Sequence, residues 1–385
     1  LAGLEGETMI KFSSSFECGN GKNFCHIKEN RYRCEVSGDK ITYCYYFCFD
    51  IKNEGSETEI DIEIWHDPDI NDPEGFISHF PTTIWVSTQD INRFHPLEQS
   101  LCTVFKDHIV VHLNLAPESI MRITNNWPSP YSDTCNFIKK LADERTNTEV
   151  FSLGKTVLKR DIVGIRTGTQ GKPRILCLAG QHPIEFPGIW AVRTIADFIT
   201  SKIPYAEEMR KNFLFEIIPI VNPDGNIAGR NCFTEEGIDL YQAFGENPDA
   251  EYPESVEGRL LWKWATDKKA ALWINFHCYL GWRTNSEYPY DGWYQVPYET
   301  FSDIREREIY CLMCDVMRLL TDAPSTSIEP TVHWINSLEY QLAKRYNIPH
   351  VFYEINGGTA GPFQSGKRGL QVFFNTIRTL EHYIR

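Results

Sequence analysis

The spacing of apolar residues divides the chain into two parts with different periodicities. In the first part, apolar and polar residues alternate, most clearly where Ile60, Ile62 and Ile64 are separated by acidic residues. Residues 40–50 and 107–115 show the same alternation. A period of two with one charged face is typical of strands in antiparallel sheets that cover a core on one side. We therefore predict an all-β sandwich domain over residues 9–125.

The second part follows a Pro-rich segment at residues 125–131 and alternates short apolar runs with amphipathic stretches of helical spacing. The apolar runs predict strands at 161–166, 174–180, 213–222, 270–277 and 349–355. The amphipathic stretches predict helices at 134–143, 188–202, 256–267, 303–321, 333–346 and 368–384. Alternating strands and helices favour an α/β fold with a largely parallel or mixed sheet. We predict a three-layer α/β/α domain over residues 130–385.

Side chains that bind metals follow two of these predicted strands. His182 and Glu185 lie at the junction between the strand at 174–180 and the next helix, and His277 ends the strand at 270–277. Because ligands at the carboxyl ends of neighbouring strands converge on one crevice, we expect these three side chains to meet. Two histidines and one glutamate, with a fourth position left to water, form a ligand set of catalytic zinc. The sequence therefore predicts one zinc ion per chain.

Four motifs resemble, in order, the signatures of the M14 class of zinc carboxypeptidases. They are His182-Pro-Ile-Glu185, Asn222-Pro-Asp-Gly225, the strand that ends at His277, and Val351-Phe-Tyr-Glu354-Ile. Together with the β-rich region in front, they are most similar to the cytosolic carboxypeptidase branch. The resemblance implies a carboxypeptidase-like mixed sheet, zinc bound by the two histidines and Glu185, and Glu354 as the general base. It also implies that Asp239 accepts a hydrogen bond from His182 and fixes its ring.

The chain departs from this class at the position that binds the free C-terminal carboxylate of a substrate. The class has an Asn-Arg pair soon after the aspartate, whereas this chain has Asp239-Leu-Tyr-Gln. Neither Tyr241 nor Gln242 offers the charged, bidentate fork that a carboxylate prefers. The class also uses a loop tyrosine, and no tyrosine lies between Cys311 and Glu339. Both differences predict atypical recognition of the C-terminus.

Four further residues are candidates for contacts with the substrate. Arg230 falls near the position at which the class places an arginine that stabilises the oxyanion, so we expect a catalytic role for it. Asn231, Tyr279 and Arg283 are candidates for substrate binding. The last two belong to a strongly aromatic segment at residues 279–294 that could line an apolar pocket.

These features predict a zinc-dependent, metallopeptidase-like hydrolase that cleaves a peptide or amide bond with zinc-activated water and a glutamate base. One alternative is a zinc-dependent deacylase or amidase that acts on a small molecule or a modified peptide. Hydrolysis of C-terminally blocked substrates, without hydrolysis of free-acid peptides, would favour that alternative. A second alternative is a zinc-binding pseudoenzyme, a binding module without turnover.

Composition and charge narrow the choice of partners. The 385 residues carry a formal net charge of −14 and no basic run, which disfavours nucleic acid and anionic membranes. No apolar stretch is long enough to cross a bilayer, and residues 1–8 lack the pattern of a signal peptide, so we expect a cytoplasmic protein. In that compartment the 12 cysteines are expected to be free thiols. The expected partner is the peptide or amide substrate, and the sequence leaves the oligomeric state open.

Overall fold

The computed structural model describes most of the chain in two compact units. The described residues are 9–39, 44–70, 83–88, 93–245, 248–249, 253–279, 291–320, 327–328, 335–357 and 360–384. Within them, the first unit contains residues 9–127 and 227–231, and the second contains residues 128–226, 232–279 and those described from 291 onwards. The division after Trp127 falls inside the Pro-rich segment of the sequence.

The first unit contains two five-stranded sheets, with strands numbered in chain order. One sheet has the order β1-β4-β10-β6-β7, with β1 (Ile10–Ser13), β4 (Cys48–Asn53), β6 (Trp85–Ser87), β7 (His95–Pro96) and β10 (Ser119–Thr124). The other has the order β2-β3-β5-β9-β8, with β2 (Lys22–Lys28), β3 (Arg31–Glu35), β5 (Thr58–Trp65), β8 (Cys102–Val104) and β9 (His108–Leu115). Apolar residues of both sheets share one buried core.

Burial along β5 confirms the alternation that the sequence predicts for this strand. Ile60, Ile62 and Ile64 are buried in the shared core, while the residues between them are only partly buried. The pairing of β5 differs from the prediction of purely antiparallel sheets, because β3 and β5 run parallel. The strand between them in the chain, β4, belongs to the other sheet, so the chain crosses over before it returns.

The strand predicted at residues 40–50 is shorter in the structure, because β4 begins only at Cys48. The first residues of the predicted range lie outside the described residues. Just before β4, the backbone N–H groups of Tyr45 and Tyr46 donate to the Asn231 Oδ1 atom, at 2.7 and 3.0 Å. A side-chain amide thus takes the place of a ladder partner, which the apolar alternation alone does not reveal.

The second unit is built on an eight-stranded mixed sheet with the order β11-β12-β14-β13-β15-β18-β16-β17. Its strands are β11 (Thr148–Lys155), β12 (Asp161–Gly168), β13 (Arg174–Ala179), β14 (Leu214–Ile218), β15 (Leu272–Tyr279), β16 (Gly292–Tyr294), β17 (Ser327–Ile328) and β18 (His350–Asn356). The central strands β14, β13, β15 and β18 run parallel to one another. β12 and β16 run antiparallel to their central neighbours, so the predicted mixed sheet is confirmed.

Helices cover both faces of this sheet. In chain order they are α1 (Tyr131–Glu144), α2 (Phe186–Thr200), α3 (Pro204–Asn212), α4 (Pro223–Ile227), α5 (Val256–Thr266), α6 (Ile304–Leu320), α7 (Leu338–Tyr346) and α8 (Pro362–Ile384). Apolar residues of α5 and α7 share a core with alternate residues of β13, such as Leu176 and Leu178. α2 packs against β13, β15 and α8. The result is the three-layer α/β/α arrangement that the sequence predicts.

Two helices begin five or more residues away from the predicted first residue. The helix expected at 333–346 begins at Leu338, where the Ser337 hydroxyl caps it by accepting the Tyr340 N–H at 3.2 Å. The helix expected at 368–384 begins earlier, at Pro362. Serine is a favoured capping residue and proline a favoured first helical residue, so both start signals were present in the sequence.

Two predictions, one on the state of the cysteines and one on membrane-spanning helices, can be compared with the described residues. None of the 12 cysteines, all of which lie within the described residues, forms a disulfide bond, and Cys311 and Cys314 lie in α6. Among the helices described, none combines the length and apolar character needed to cross a membrane.

Glu257 is a buried carboxylate in the first turn of α5. It is fully buried, and neither of its carboxylate oxygens has a hydrogen-bond partner. Burial, together with the charges of Glu236 and Asp224, raises its pKa from 4.5 to about 7. The folded state therefore holds this proton at a pH where the unfolded chain has released it. The resulting stability is fully present below about pH 4.5 and is lost as the pH rises through about 7.

We expect the substitution Glu257→Gln to raise the free energy of unfolding by about 2 kcal/mol near pH 8, because a neutral amide avoids the buried charge. Near pH 4 the two proteins should be equally stable. Urea unfolding followed by circular dichroism at both pH values measures the difference, with Glu254→Gln at an exposed position just before α5 as the control. A Glu257 variant no more stable than the wild type near pH 8 would contradict this account.

Candidate metal centre and active site

The candidate site lies at the carboxyl ends of three neighbouring parallel strands, β13, β15 and β18. The turn from His182 to Glu185 follows β13 and is closed by the Glu185 N–H, which donates to the His182 carbonyl at 3.2 Å. His277 and Glu354 are direct partners in the register of β15 and β18. Partnered residues on adjacent strands place their side chains on the same face of a sheet. The topology therefore brings all four side chains to one edge.

Gly188 allows the first turn of α2 to approach β15 closely. A Cβ atom at this position would lie only 2.6 Å from the Phe276 carbonyl oxygen and 3.3 Å from the His277 nitrogen. No larger residue fits against that backbone without displacing it. The close approach positions Glu185, which precedes α2, next to His277 on the neighbouring strand.

The carboxylate of Glu185 lies between two imidazole rings. Its Oε1 atom is 2.7 Å from His182 Nδ1, and its Oε2 atom is 2.6 Å from His277 Nδ1. Glu185 is 7% exposed and His277 is completely buried. Burial alone would raise the pKa of Glu185, but the two histidines outweigh it and lower that pKa to about 2. The glutamate is therefore a carboxylate, and its two oxygens serve two different rings.

The outer nitrogen of each ring has its own acceptor. His182 Nε2 lies 3.2 Å from Asp239 Oδ1, and His277 Nε2 lies 2.9 Å from Gln181 Oε1. A carboxylate and an amide oxygen can only accept, so each Nε2 carries a proton and donates it. An imidazole that donates from Nε2 has the Nδ1 lone pair available as a metal ligand.

These residues fit a metal ion. One ligand atom each from His182, Glu185 and His277 can be chosen so that all three lie within 4.8 Å of one another. Although His277 Nδ1 and Glu185 Oε2 are close, both are buried without a hydrogen-bond partner. A lone pair that faces a carboxylate oxygen is unfavourable unless a proton or a metal cation lies between them. Two imidazole nitrogens and one carboxylate match the ligand chemistry of zinc.

A buried network of hydrogen bonds holds His277 through its Nε2 atom. Gln181 Oε1 also accepts from Asn275 Nδ2 at 2.9 Å, which fixes the orientation of the Gln181 amide. Asn275 Nδ2 donates in addition to Glu339 Oε1 at 2.7 Å, and Trp273 Nε1 donates to the same oxygen at 3.0 Å. The sequence analysis missed all of these residues. The available signal was position, since Asn275 lies two residues before His277 and thus on the same face of β15.

A short hairpin supports His182 in the same way. Phe233 and Asp239 pair as an antiparallel bridge, which presents Asp239 to the His182 ring. Burial lowers the pKa of His182, but nearby Cys232, Glu185 and Asp239 raise it well above its usual value. The Asp239 carboxylate also accepts the Tyr241 N–H at 3.0 Å, so its position is fixed from both sides.

Glu354 is a further acidic group beside the two histidines and Glu185. It is 6% exposed, and its Oε2 atom is buried without a hydrogen-bond partner. Burial raises the pKa of Glu354 well above its usual value, and the Glu185 charge raises it further against the opposing effect of His182. A carboxyl group with such a pKa can exchange a proton with a neighbouring reactant.

Aromatic rings form one side of the cluster. Phe352 stacks on His277 with ring centroids 4.3 Å apart, and Tyr241 contacts Phe352 at 4.9 Å. Tyr241 is 5% exposed, and its ring meets both histidine rings edge-on. Tyr241, which follows Asp239 by two residues, is thus part of a buried aromatic wall.

The remaining four predicted residues either belong to the first unit or have side chains outside the described residues. Asn231 and Arg230 belong to the first unit. There the Asn231 amide accepts from two backbone N–H groups and donates to the Ser37 carbonyl at 3.2 Å. Tyr279 ends β15, but its side chain lies outside the described residues, as does Arg283. The roles predicted for these four residues stay predictions.

Comparison with known proteins identifies the family. The sequence profile of the zinc carboxypeptidases, peptidase family M14, matches residues 134–368. Because this match covers more than half of the 385 residues, the chain belongs to that family.

Curated relatives are cytosolic carboxypeptidases. Cytosolic carboxypeptidase 2 of Xenopus tropicalis is 32% identical over 118 residues, which cover 29% of this chain and 12% of the relative. Cytosolic carboxypeptidase 1 of Gallus gallus is 27% identical over 316 residues, or 70% of this chain and 25% of the relative. Cytosolic carboxypeptidase 2 of Macaca fascicularis is 23% identical over 309 residues, or 72% and 36%. The chain thus spans between about an eighth and about a third of the length of these relatives.

Solved structures of bacterial metallo-carboxypeptidases share the fold. The enzyme from Burkholderia cenocepacia aligns with a TM-score of 0.79 at 14% identity, over 97% of this chain and 100% of its own. The Pseudomonas aeruginosa enzyme, in complex with (2-guanidinoethylmercapto)succinic acid, aligns equally well at 15% identity, again over 97% and 100%. At such low identity, the likeness concerns the fold alone.

The contact between Gln181 and His277 leads to a prediction about metal binding. We expect Gln181→Met to weaken zinc affinity by about 10- to 100-fold, because the His277 ring loses the acceptor that fixes its orientation. Competition with a chromophoric chelator measures the affinity.

Gln242→Met is the matched control, since the exposed Gln242 lies near the site in sequence and contacts neither histidine. Equal zinc affinity in the Gln181 variant and this control would show that the hydrogen bond does not orient His277.

Proposed function

We propose that the chain is a zinc-dependent hydrolase that cleaves a peptide or amide bond, with the metal held by His182, Glu185 and His277. One observation carries the proposal: two imidazoles direct their Nδ1 atoms to a single buried carboxylate, while their Nε2 atoms are held by other acceptors. Membership of the zinc carboxypeptidase family supports the same chemistry. When zinc is bound, the site gains a Lewis acid that polarises a carbonyl oxygen and makes water more acidic.

Glu354 is the proposed general base. Its carboxylate takes a proton from the attacking water and passes it to the nitrogen that leaves when the amide bond breaks. Register pairing with His277 places Glu354 beside the ligand set, and its raised pKa suits a group that must both take up and release a proton. Its buried, unpartnered Oε2 atom is a further group that a reactant could satisfy.

Asp239 and Gln181 are the proposed positioning residues. Each holds the Nε2–H of one histidine, so that the lone pair of each Nδ1 atom points at the metal position. Neither needs to touch the substrate. Their effect should therefore appear first in metal affinity and only through it in turnover.

Substrate recognition is proposed to proceed without the Asn-Arg clamp. Tyr241 occupies the position of the asparagine and is buried against the histidine rings and Phe352. This observation also favours the second candidate function, a deacylase or amidase whose substrate carries no free C-terminal carboxylate. The peptide substrate and the cytoplasmic location remain predictions for this chain, although the curated relatives carry the word cytosolic in their names.

The substitution Glu354→Gln tests the proposed chemistry. We expect turnover to fall by about 100- to 10,000-fold, because an amide cannot accept the proton, while zinc content stays unchanged. Hydrolysis of a peptide panel together with metal analysis measures both quantities. Glu208→Gln, on the exposed face of α3, is the matched control and should keep full activity.

Other outcomes of this experiment would contradict the proposal. Full activity in the Glu354 variant would show that this carboxylate is not the base. Undetectable hydrolysis in both the variant and the zinc-loaded wild type would instead favour a binding module.

Paired substrates test the proposed recognition. We expect kcat/KM for C-terminally amidated peptides to lie within about 10-fold of that for the same peptides as free acids. A charge-assisted clamp would contribute about 1.5–3 kcal/mol, or about 10- to 150-fold. A preference for free acids above about 100-fold would contradict the loss of the clamp, and cleavage of blocked substrates alone would favour the deacylase or amidase.

A further inference from the structure

A second group of metal-binding side chains lies on the other side of the His182 ring. The ring faces Glu185 with its Nδ1 atom and the hairpin at residues 232–239 with its Nε2 atom. Ligand atoms of His182, Cys232 and Asp239 lie within 4.8 Å of one another. This group shares one residue with the proposed catalytic set and adds a thiol to it.

The hairpin explains why Cys232 and Asp239 come together. The bridge between Phe233 and Asp239 closes a tight turn, in which the Thr234 N–H donates to the Ile238 carbonyl at 2.9 Å. Gly237 occupies the left-handed region of the turn, with φ of +77°, where glycine is favoured. Cys232 directly precedes the bridge, so its thiol is held next to the Asp239 carboxylate. The bridge and the turn of the backbone therefore bring the side chains of Cys232 and Asp239 together.

The two groups differ in their preference for metals. The proposed catalytic set contains nitrogen and oxygen ligands only, whereas the second group adds the sulfur of Cys232. Thiolate ligands favour thiophilic cations such as Zn²⁺ and Cd²⁺ over Mg²⁺ or Ca²⁺. Cys232 is 3% exposed, so a cation bound there would be largely shielded from water.

We propose that His182 Nε2, Cys232 Sγ and an Asp239 carboxylate oxygen form a second metal site for a thiophilic divalent cation. The His182 ring then bridges the two cations, one on each nitrogen. The Cys232 thiol and the His182 Nε2–H each release a proton to solvent when the second cation binds. Because that deprotonation costs free energy, the second cation binds more weakly than the first.

Occupation of the second site would inhibit the enzyme. The Asp239 carboxylate would become a ligand and would no longer accept the hydrogen bond that positions His182. This consequence rests on the proposed function, but the existence of the second site does not.

Cadmium titration of the 385-residue chain, preloaded with one equivalent of zinc, tests the site. Cadmium bound to a thiolate gives a charge-transfer band in the ultraviolet, and the catalytic set, which contains no sulfur, cannot produce it. We expect wild type to bind a further equivalent with this band and to lose hydrolytic activity as the band grows. In Cys232→Ser the band should disappear, and inhibition should require at least about 10-fold more cadmium.

Cys25→Ser is the matched control, because Cys25 is an exposed cysteine in β2 of the first unit. It should leave both the band and the inhibition unchanged. A band of full intensity in the Cys232 variant, or its loss in the Cys25 variant, would assign the cadmium to another thiol and overturn the proposal.

Two further measurements separate the possible failures. An anomalous difference map from cadmium-soaked wild-type crystals locates the cation without any substitution. Cadmium density away from Cys232 and Asp239 would overturn the proposal. This result would stand even if the Cys232 variant failed to fold. Metal analysis before cadmium is added reports on the first cation alone. A protein without that first equivalent would contradict the proposed function, while a thiolate band lost only in the Cys232 variant would still support the second site.

Discussion

The carboxylate of Glu185, shared between the imidazoles of His182 and His277, is the interaction on which the rest of the site depends. A carboxylate so deeply buried is costly unless positive charge compensates it, and here both of its oxygens face ring nitrogens. The position of this carboxylate between the two rings in turn determines which groups must surround it. Each ring needs an outer acceptor, which Asp239 and Gln181 provide. The strand next to it must approach closely, which Gly188 permits. A metal cation would complete the compensation and make the cluster a reaction centre.

Much of the sheet could be predicted from the sequence because its central strands are buried on both faces. Such strands appear as short, continuous apolar runs, and polar residues at their ends stand out. His182, Glu185 and His277 were found in this way, whereas Glu354 and Asp239 were implied by the resemblance to the zinc carboxypeptidases. The structure brings these five residues together. Their catalytic roles stay predictions, because the positions of side chains do not by themselves establish turnover.

Other features could not be predicted for physical reasons. Asn275 and Gln181 have the side chains of ordinary buried polar residues, and only their partners across the sheet give them a role. Similarly, β4 begins late because Asn231, far away in sequence, takes the backbone donors before it. Long-range pairings of this kind leave no trace in local periodicity.

The pairing of His277 with Glu354 restricts how the chain length can vary. Successive residues of a strand point to opposite faces, so removal of one residue from β18 ahead of Glu354 would turn that carboxylate into the opposite helix layer. Removal of two would restore the face but shift the group by about 7 Å along the strand. Insertions and deletions during evolution should therefore collect in the connecting loops, while the distance in residues from the start of β18 to Glu354 stays constant.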